Sequence, residues 1–512
     1  MTSENKLGNN STEKKQSADV YHAKSKQRQW TKSFLAIPIL ILFIAFCYQS
    51  YISSFRPIEK RLVDTLNSLL AIERDGQVNV NAKIAIGYGA CLDYVVPSRC
   101  LILNHHKPPV NPFHHVSVDD KDELLEVFAY YFNHGAAAER YINNQSLFKE
   151  LVSISETCDI LKSIGGNAPI MASRLAKEGI KNILLGAHMS PQLSKYLTSS
   201  ITIAGPSTET DDVHLLIEYP TGENWLDLYS SPRANRFIVH NDDNNPLLKS
   251  LEIFHRQMNN FQPDLFVIGG LQMMEGYPGN SEKKRSRLEK VSSYIKENFK
   301  HRGDNKQTKL HFEMASYSDE TILRDIIQLI LPHVDSLGMN EQELPNLYQM
   351  LTFGNLTLVS DPYPRVATVL DQMRDIYEAM FSFTNGRISR IHVHTLAFQA
   401  ILVHANSDWK NSAAAAAKAA LTSHRHTCGS DEIDSAKARL IMDESFSTTR
   451  SSKQNIQRIV FNSNVPVACW SETLDNKQKI QFCVAPVLVC TNVLQTGGGG
   501  DNVSAAGLVL QI

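Results

Sequence analysis

Short apolar runs alternate with longer amphipathic stretches along most of the chain after residue 80. The short runs have the length and composition of buried strands: Lys83–Gly87, Ser200–Ala204, His214–Glu218, Leu265–Gly269, Leu310–Met314, Ser336–Met339 and Val487–Cys490. The longer stretches have a helical period: Lys121–Asn133, Pro169–Glu178, Lys284–Asn298, Asp319–Leu331 and Ala413–Leu421. This alternation predicts an α/β fold with a mostly parallel sheet covered by helices and with ligands at the carboxyl ends of the strands.

The first 52 residues have a different pattern. Residues 1–33 carry seven Lys and Arg against three acids, a net charge of 7 − 3 = +4, and the run 34–47 is apolar, with no charge before Arg56. A membrane span needs about 20 apolar residues, which this run reaches only if residues 48–52 are included. We expect a basic cytosolic leader at 1–33 and an uncleaved signal anchor at 34–52, with a cleaved signal peptide or a buried helix as alternatives. Both signal interpretations place residues 53–512 in the endoplasmic reticulum or secretory lumen, membrane-anchored or secreted.

Composition narrows the class of protein. Among 512 residues, 51 Lys and Arg balance 53 Asp and Glu, which leaves a formal charge of −2. This nearly even balance of positive and negative charges argues against nucleic acid as a partner. With 43% hydrophobic residues, the chain has enough apolar side chains to bury a large core.

Cysteines and glycosylation motifs are compatible with a lumenal protein. The eight cysteines form neither CxxC pairs nor zinc-finger spacings. A lumenal location would permit one or two disulfides, most plausibly among the four C-terminal cysteines, and buried free thiols are the alternative. Asn144, Asn355 and Asn502 stand in N-glycosylation motifs. We expect Asn502 to be too buried for modification.

Residues 495–507 (QTGGGGDNVSAAG) are the most informative stretch of the sequence. Glycines allow a tight turn that points successive backbone N–H groups at one spot, and a helix start adds partial positive charge, so the element can hold an anion. Asp501 inside such a cradle would repel a phosphate, unless its carboxylate takes a proton from an attacking hydroxyl. The loop lacks the Lys-Ser/Thr of a Walker A motif. A flexible glycine turn with an aspartate cap is the alternative.

The loop also resembles the GxGD loop of ribokinase-like sugar kinases, aligned as Gly498-Gly499-Gly500-Asp501. Other stretches narrow the resemblance to the ADP-dependent glucokinases: IGGNAPIMASRLAKEG (164–179), SPRANRFI (231–238), GLQMM (270–274), HFEMAS (311–316) and GMNEQEL (338–344). The resemblance covers roughly residues 80–512. It implies a ribokinase-like α/β sandwich with a smaller α/β lid, which we place at approximately 98–162 and 202–245 within a kinase domain of residues 53–512.

Two acidic segments are candidates for a metal site. His311 and Glu313 alternate along an apolar strand, and Asn340 and Glu343 are three residues apart at a possible helix start. Oxygen ligands from two strand ends suit Mg²⁺, which keeps several waters. The resemblance implies that Glu313 and Glu343 position Mg²⁺ through its waters, with Asn340 as a second-rank ligand. A helix cap and solvated acids are the alternative.

Polar residues near two glycine turns are candidates for sugar binding. Asp93 is expected at a strand end. Gly166 and Asn167 belong to a second tight turn, and the side-chain amide of Asn167 can both donate and accept hydrogen bonds. The resemblance implies that Asp93 accepts hydrogen bonds from sugar hydroxyls. It also implies that Glu139 favours glucose over a phosphorylated sugar, because its charge would repel a sugar phosphate.

Arginines and histidines complete the set of candidates. Arg233 and Arg236 could hold phosphate with planar guanidinium groups, and Arg236 is the better candidate; surface arginines in a loop are the alternative. His392 and His394 alternate on a strand. Because no third ligand is near in sequence, core or nucleotide-adjacent histidines are favoured over a metal pair.

The resemblance implies a specific reaction. The terminal phosphoryl group of ADP would pass to the 6-hydroxyl of glucose, giving AMP and glucose 6-phosphate, with Asp501 as general base and the amides of Gly498–Gly500 as the anion hole. A monomer is the family-like expectation. Nothing in the residues themselves distinguishes ADP from ATP. An ATP-dependent ribokinase-like kinase and a non-catalytic lumenal carbohydrate-binding protein therefore stay open as alternatives.

Overall fold

The structure is a computed structural model that describes residues 43–44, 58–299, 308–357, 359–451 and 457–512. The chain divides into two compact units, residues 1–63 and 64–512. In the first unit, the described residues 43–44 and 58–63 are helical. The predicted leader and the predicted anchor at 34–52 lie outside the described residues, apart from Phe43 and Ile44. Within the described ranges, no helix has the length and apolar character needed to cross a membrane.

The second unit alternates strands and helices, as the hydrophobic pattern predicts. Its helices are α1 (64–75), α2 (Lys121–His134), α3 (Gln145–Ser155), α4 (Asn167–Lys177), α5 (Leu251–Phe261), α6 (Ser281–Phe299), α7 (Glu320–Leu329), α8 (Glu343–Phe353), α9 (Val366–Phe383), α10 (Ser412–Cys428) and α11 (Gly499–Val509). Its strands are β1 (Lys83–Gly87), β2 (Cys91–Pro97), β3 (Ser117–Val118), β4 (Ala138–Ile142), β5 (Leu161–Gly165), β6 (Asn182–Gly186), β7 (Ile201–Ile203), β8 (Val213–Tyr219), β9 (Asn224–Trp225), β10 (Tyr229–Ser230), β11 (Asn235–His240), β12 (Leu265–Ile268), β13 (Lys309–Glu313), β14 (Ser336–Asn340), β15 (Arg390–His394), β16 (Phe398–His404), β17 (Ala438–Leu440), β18 (Ser445–Ser447), β19 (Arg458–Val460), β20 (Ala468–Thr473), β21 (Lys479–Pro486) and β22 (Leu488–Cys490).

Ten strands form the larger sheet, in the order β20-β21-β16-β15-β14-β13-β12-β1-β6-β7. Pairing is parallel from β7 to β15 and antiparallel through β16, β21 and β20. Strands such as β12 are buried along their whole length, which is typical of a parallel sheet covered on both faces. Helices α5 to α9 share one apolar core with this sheet, while α11 packs against both α4 and α10. The fold is therefore the predicted ribokinase-like α/β sandwich with a mostly parallel central sheet.

Six strands form a smaller sheet, in the order β3-β4-β11-β8-β2-β5. Its own apolar core includes Phe128 of α2 and the fully buried Trp225. The strands come from residues 91–165 and 213–240, whereas β7 at 201–203 belongs to the larger sheet. The approximate lid boundaries at 98 and 202 thus differ from the edges of this sheet, because turns rather than composition separate β1 from β2 and β7 from β8. The movement of this sheet as a lid stays a prediction.

Another local expectation was wrong. Asp93 was expected at a strand end, but β1 ends at Gly87 and Asp93 lies inside β2 of the smaller sheet. The strand predicted at 487–490 is present as β22, which pairs with β17 in a separate two-stranded sheet.

The described residues contain three disulfides, one more than the one or two expected. Cys428–Cys490 and Cys469–Cys483 lie among the C-terminal cysteines, as predicted. Cys100–Cys158 was missed. Its cysteines are 58 residues apart in sequence and meet because the helical turn at Arg99–Leu103 lies beside α3. Cys91 is a buried free thiol.

Candidate active site

A cavity of about 590 Å³ opens between the two sheets, at the carboxyl ends of the parallel strands. Such edges of open α/β sheets are where ligands bind. Every residue singled out from the sequence as a catalytic, anion-binding, metal-binding or substrate-binding candidate lines this cavity: Asp93, Glu139, Gly166, Asn167, Arg236, Glu313, Asn340, Glu343, Gly498, Gly499, Gly500 and Asp501.

The glycine loop turns directly into helix α11. Gly498 is the residue before the helix and has φ = +67°, a conformation that L side chains rarely adopt. A side chain at Gly500 would collide with His394, because a Cβ atom there would lie 2.9 Å from the imidazole Cε1. Asp501 lies in the first turn of α11. The N–H groups of a first helical turn have no partner inside the helix, so the loop has the form of an anion cradle.

Asp501 is held by a chain of amide hydrogen bonds. Asn167 Nδ2 donates to Asp501 Oδ1 at 2.8 Å, and Gln272 Nε2 donates to Asn167 Oδ1 at 2.8 Å, which fixes the orientation of the Asn167 amide. Desolvation in the cavity, and then the charge of Glu313, raise the pKa of Asp501 to about 7. A carboxylate with this pKa is suited to accept a proton near neutral pH.

Glu313 ends strand β13 and faces helix α11. Its Oε2 lies 2.8 Å from His311 Nε2 and accepts a hydrogen bond of 2.6 Å from Ser504 Oγ. Its Oε1 lies 3.7 Å from His394 Nε2. Burial alone would raise the pKa of Glu313, but the two histidines outweigh burial and lower it to about 2. Glu313 is therefore a fixed negative charge at the floor of the cavity.

Glu343 starts helix α8 and is oriented by Asn340. The backbone N–H and the side-chain Nδ2 of Asn340 both donate to its carboxylate at 2.8 Å. Asn340 Oδ1 in turn accepts from the backbone N–H groups of Gln342 and Glu343. Burial raises the pKa of Glu343 to about 7. The side-chain amide of Asn340 is therefore occupied by hydrogen bonds that position Glu343. This favours a supporting role for Asn340 over its predicted role as a second-rank metal ligand.

The donor set fits a divalent cation held mainly through water. Glu313, Glu343 and Asp501 line one cavity, and the charge of Glu313 raises the pKa values of both Glu343 and Asp501, so a cation among them would relieve the repulsion. Within the described residues, the tight groups of three possible metal ligands are Cys91–Asp93–His214 and Glu139–His214–His240. Glu313 and Glu343 belong to neither group, and a site built on them would hold Mg²⁺ mainly through its waters.

Asp93, at the opposite end of the cavity, packs directly on the turn before α4. A Cβ atom at Gly165 would lie 1.8 Å from Asp93 Oδ1, so only glycine fits there. Burial raises the pKa of Asp93 to about 6. Gly166, with φ = +91°, precedes α4 and places Asn167 at the first position of that helix.

Sequence reasoning missed a buried histidine–carboxylate cluster beside Asp93. His214 Nε2 lies 3.0 Å from both carboxylate oxygens of Asp242, and His240 Nδ1 lies 3.1 Å from Asp242 Oδ1. The same two histidines face Glu139 at 3.9 and 3.6 Å. Burial opposes protonation of His214, yet the charge of Asp242 prevails and raises the pKa of His214 to about 10. The one sequence feature that could have indicated this cluster was His214 on a predicted strand. Asp242 gave no such indication, because it lies in the loop after β11.

Arg233 and Arg236 differ in how many hydrogen-bond partners their guanidinium groups have within the protein. Arg233 donates to Gly135 O, Glu341 Oε1 and Pro362 O, so it braces the fold. Arg236 lines the cavity, and its buried Nε has no hydrogen-bond partner among the described residues. An unpaired buried donor is costly unless a ligand satisfies it, which agrees with the choice of Arg236 as the phosphate-binding candidate.

The two strand histidines do not form a metal pair. His392 Nε2 lies 3.1 Å from Gln399 Oε1 in the core, whereas His394 lines the cavity beside Glu313. His392 is a core histidine, as expected, whereas a position of His394 next to the nucleotide stays a prediction. Beyond them, Ile441, Val487 and Val489 give one end of the cavity an apolar wall.

This combination defines a class of protein. An aspartate at the start of a helix, a preceding glycine cradle, and two acids at neighbouring strand ends of a mostly parallel sheet are suited to phosphoryl transfer to a hydroxyl group, which is the chemistry of a kinase. The profile described as ADP-specific phosphofructokinase/glucokinase conserved region matches residues 82–510. The chain belongs to this family.

Individual relatives agree. The chain is 33% identical over 432 residues to an ADP-dependent glucokinase of Bos taurus, covering 83% of this chain and 84% of the relative. It is 31% identical over 409 residues to a probable ADP-dependent glucokinase of Caenorhabditis elegans, covering 76% of each. A solved ADP-dependent kinase in complex with fructose-6-phosphate and ADPβS superposes with a TM-score of 0.58 at 17% identity, covering 88% of this chain and 97% of the other.

Proposed function

We propose that this protein transfers the terminal phosphoryl group of ADP to the 6-hydroxyl of glucose, releasing AMP and glucose 6-phosphate. The observation that carries the proposal is the Asn167-bound carboxylate of Asp501 at the start of α11. It lies in the cavity that also contains a cluster of sugar-facing acids. Relatives named as ADP-dependent glucokinases cover most of the chain and support this assignment.

Each group in the cavity has a role in such a transfer. Asp501 accepts the proton of the attacking hydroxyl, and Asn167 keeps its carboxylate oriented. The amides of Gly498–Gly500 hold the transferring phosphoryl group, and Arg236 satisfies its free Nε on a phosphate oxygen. Glu313 and Glu343 would hold Mg²⁺, which neutralises charge on the phosphates when bound. Closure of the smaller sheet over the sugar would exclude water, the competing acceptor.

The acceptor end favours a neutral sugar over a sugar phosphate. Glu139, Asp93 and Asp242 surround His214, and Glu139 and Asp242 also face His240, so three carboxyl groups stand against two histidines there. A phosphate group entering there would meet repulsion, whereas sugar hydroxyls would find acceptors. Fructose 6-phosphate is the second candidate acceptor, because the family includes phosphofructokinases.

The donor end accepts a nucleotide between the apolar wall of Ile441, Val487 and Val489 and the glycine loop. The choice of ADP rests on the names of the relatives. All the groups invoked come from one chain, so a monomer suffices for activity.

The test of the function compares acceptors. The purified full chain is assayed with Mg²⁺ and ADP against glucose and against fructose 6-phosphate. We expect kcat/KM for glucose to exceed that for the sugar phosphate by at least about 10²-fold, as is common where a buried charge opposes a substrate. Equal or inverted efficiencies would refute the assignment of glucose.

We further propose that the kinase domain resides in the secretory lumen, held there by the apolar segment at 34–52. The basic leader before this segment and the three disulfides after it support this location, since disulfides persist in oxidising compartments. The test is protease protection of a C-terminal tag in sealed microsomes. Digestion of the tag without detergent would contradict a lumenal kinase domain.

A further inference from the structure

The smaller sheet reaches across the cavity and binds the glycine loop. Glu218 lies on β8, and its Oε1 accepts three hydrogen bonds: from Thr496 N at 2.7 Å, from Thr496 Oγ1 at 2.7 Å and from Gly497 N at 3.0 Å. These donors immediately precede Gly498, where the anion cradle begins. One carboxylate oxygen therefore fixes the entry to the cradle from the opposite sheet.

The same strand face extends to the sugar end of the cavity. His214, Leu216 and Glu218 alternate along β8, so their side chains point the same way. His214 belongs to the cluster beside Asp93, and a Cβ atom at Gly497 would lie 2.7 Å from Leu216 Cδ2. One rigid strand thus connects the sugar-facing cluster with the glycine loop.

Contacts from helices α10 and α11 hold the other side of the loop. His426 Nε2 lies 2.8 Å from Gly497 O, and Asn502 Nδ2 donates to Gly498 O at 2.8 Å. These contacts fix carbonyl groups, whereas Glu218 fixes N–H groups. Gly497 is therefore held at its N–H by β8 of the smaller sheet and at its C=O by α10, so the conformation of the loop depends on the position of β8 relative to that helix.

We propose that Glu218 is a positioning residue that couples sugar binding to assembly of the phosphate cradle. When glucose draws β8 into place at the His214 end, Glu218 sets the Thr496 and Gly497 amides, and the following amides then point at the transferring phosphate. The proposal rests on the proposed function, since it concerns the order in which glucose and ADP are engaged. Glu218 engages the amides of Thr496 and Gly497 and therefore does not compete for those from Gly498 onward, where the cradle begins.

The test uses Glu218→Ala and Glu218→Gln in the full chain. Glu150→Ala is the matched control, because Glu150 is an exposed carboxylate on α3 beside the same sheet. For each variant, kcat and the KM values for glucose and ADP are measured. The affinity for the analogue ADPβS is measured by calorimetry with and without saturating glucose, which reports coupling without requiring turnover.

In the wild type and in Glu150→Ala, glucose is expected to tighten ADPβS binding about fivefold or more, the usual range of coupling between sites. In Glu218→Ala the coupling should vanish, and kcat should fall about 10- to 100-fold, as for a small misplacement of a catalytic group. Glu218→Gln keeps an oxygen acceptor without the charge, so its kcat and its coupling factor should both lie between those of the wild type and those of Glu218→Ala.

Wild-type kcat and coupling in Glu218→Ala would overturn the proposal. So would a raised KM for glucose accompanied by intact coupling. If Glu218→Ala does not fold, as judged by the absence of a cooperative thermal transition, the test uses Glu218→Gln instead. Unchanged coupling in that variant would overturn the proposal. Absence of glucose phosphorylation in the wild type would instead count against the proposed function, and the two failures are thus distinguishable.

Discussion

Replacing Asp501 with asparagine removes the proposed base while leaving the local packing intact. Asp501 Oδ1 accepts its hydrogen bond from Asn167 Nδ2, and the amide oxygen of an asparagine can accept the same bond in the same place. The glycine cradle before it is built from backbone and is not altered. The substitution therefore tests proton transfer rather than the integrity of the site.

The expected size of the effect follows from the role. A positioned general base contributes about 10²- to 10⁴-fold, which corresponds to about 2.7–5.4 kcal/mol of transition-state stabilisation at 1.36 kcal/mol per tenfold. We expect Asp501→Asn to lose at least about 10²-fold in kcat with little change in the KM for glucose. The amide cradle and Arg236 remain, so some activity above the uncatalysed rate should survive.

The raised pKa of Asp501 adds a pH dependence with a definite sign. The carboxylate must be deprotonated to accept a proton, so wild-type kcat/KM should fall as the pH drops below about 7 and level off above it.

The stability of the folded protein should change with pH in the opposite direction to the activity. Because the folded state binds this proton more tightly than the unfolded chain, Asp501 lowers the free energy of unfolding as the pH rises from its ordinary pKa towards about 7. Asp501→Asn should therefore raise the Tm of the unliganded protein at pH 8.

The assay combines steady-state kinetics between pH 5.5 and 8.5 with thermal unfolding of the same preparations. A variant that keeps wild-type turnover would refute the base assignment. A wild-type pH profile that stays flat across neutrality, with a lowered Tm in the variant, would refute the reasoning about the desolvated carboxylate.

Three further predictions concern the metal, the acceptor and glycosylation. Glu343→Gln should raise the Mg²⁺ concentration needed for half-maximal rate by about tenfold or more, as ligand-shell changes do, whereas an unchanged Mg²⁺ titration would exclude this residue from the metal site. Glu139→Gln should reduce discrimination against fructose 6-phosphate, measured as the ratio of kcat/KM values, because it removes the repelling charge; an unchanged ratio would contradict that role. In a lumenal protein, mass spectrometry should find glycans on the exposed Asn144 and Asn355 but not on Asn502, whose amide is bonded to Arg174 and Gly498; a glycan on Asn502 would contradict the folded site.

The parts of the site that follow from local sequence were predictable. Glycines before an acid at a helix start predict the cradle of Gly498–Asp501, and alternation predicts that His311 and Glu313 share a face. The capping relation between Asn340 and Glu343 follows from their spacing. Local backbone geometry determines these arrangements, so a short window of sequence contains the necessary information.

The parts that depend on long-range pairing were not predictable from single stretches. Glu218 meets Thr496 across 278 residues, and Asp242 meets His214 only because β11 and β8 are antiparallel neighbours. The assignment of β7 and β8 to different sheets is likewise a property of topology. Hydrophobic patterns indicate that such strands exist, but strand order determines which side chains meet.

The central claim is tested most directly by ³¹P NMR of the full chain incubated with Mg²⁺, glucose and ADP, in the absence of ATP. The account predicts AMP and glucose 6-phosphate appearing in equal amounts, and no AMP when glucose is omitted. AMP formation without glucose, or sugar phosphate formed only after ATP is supplied, would contradict it.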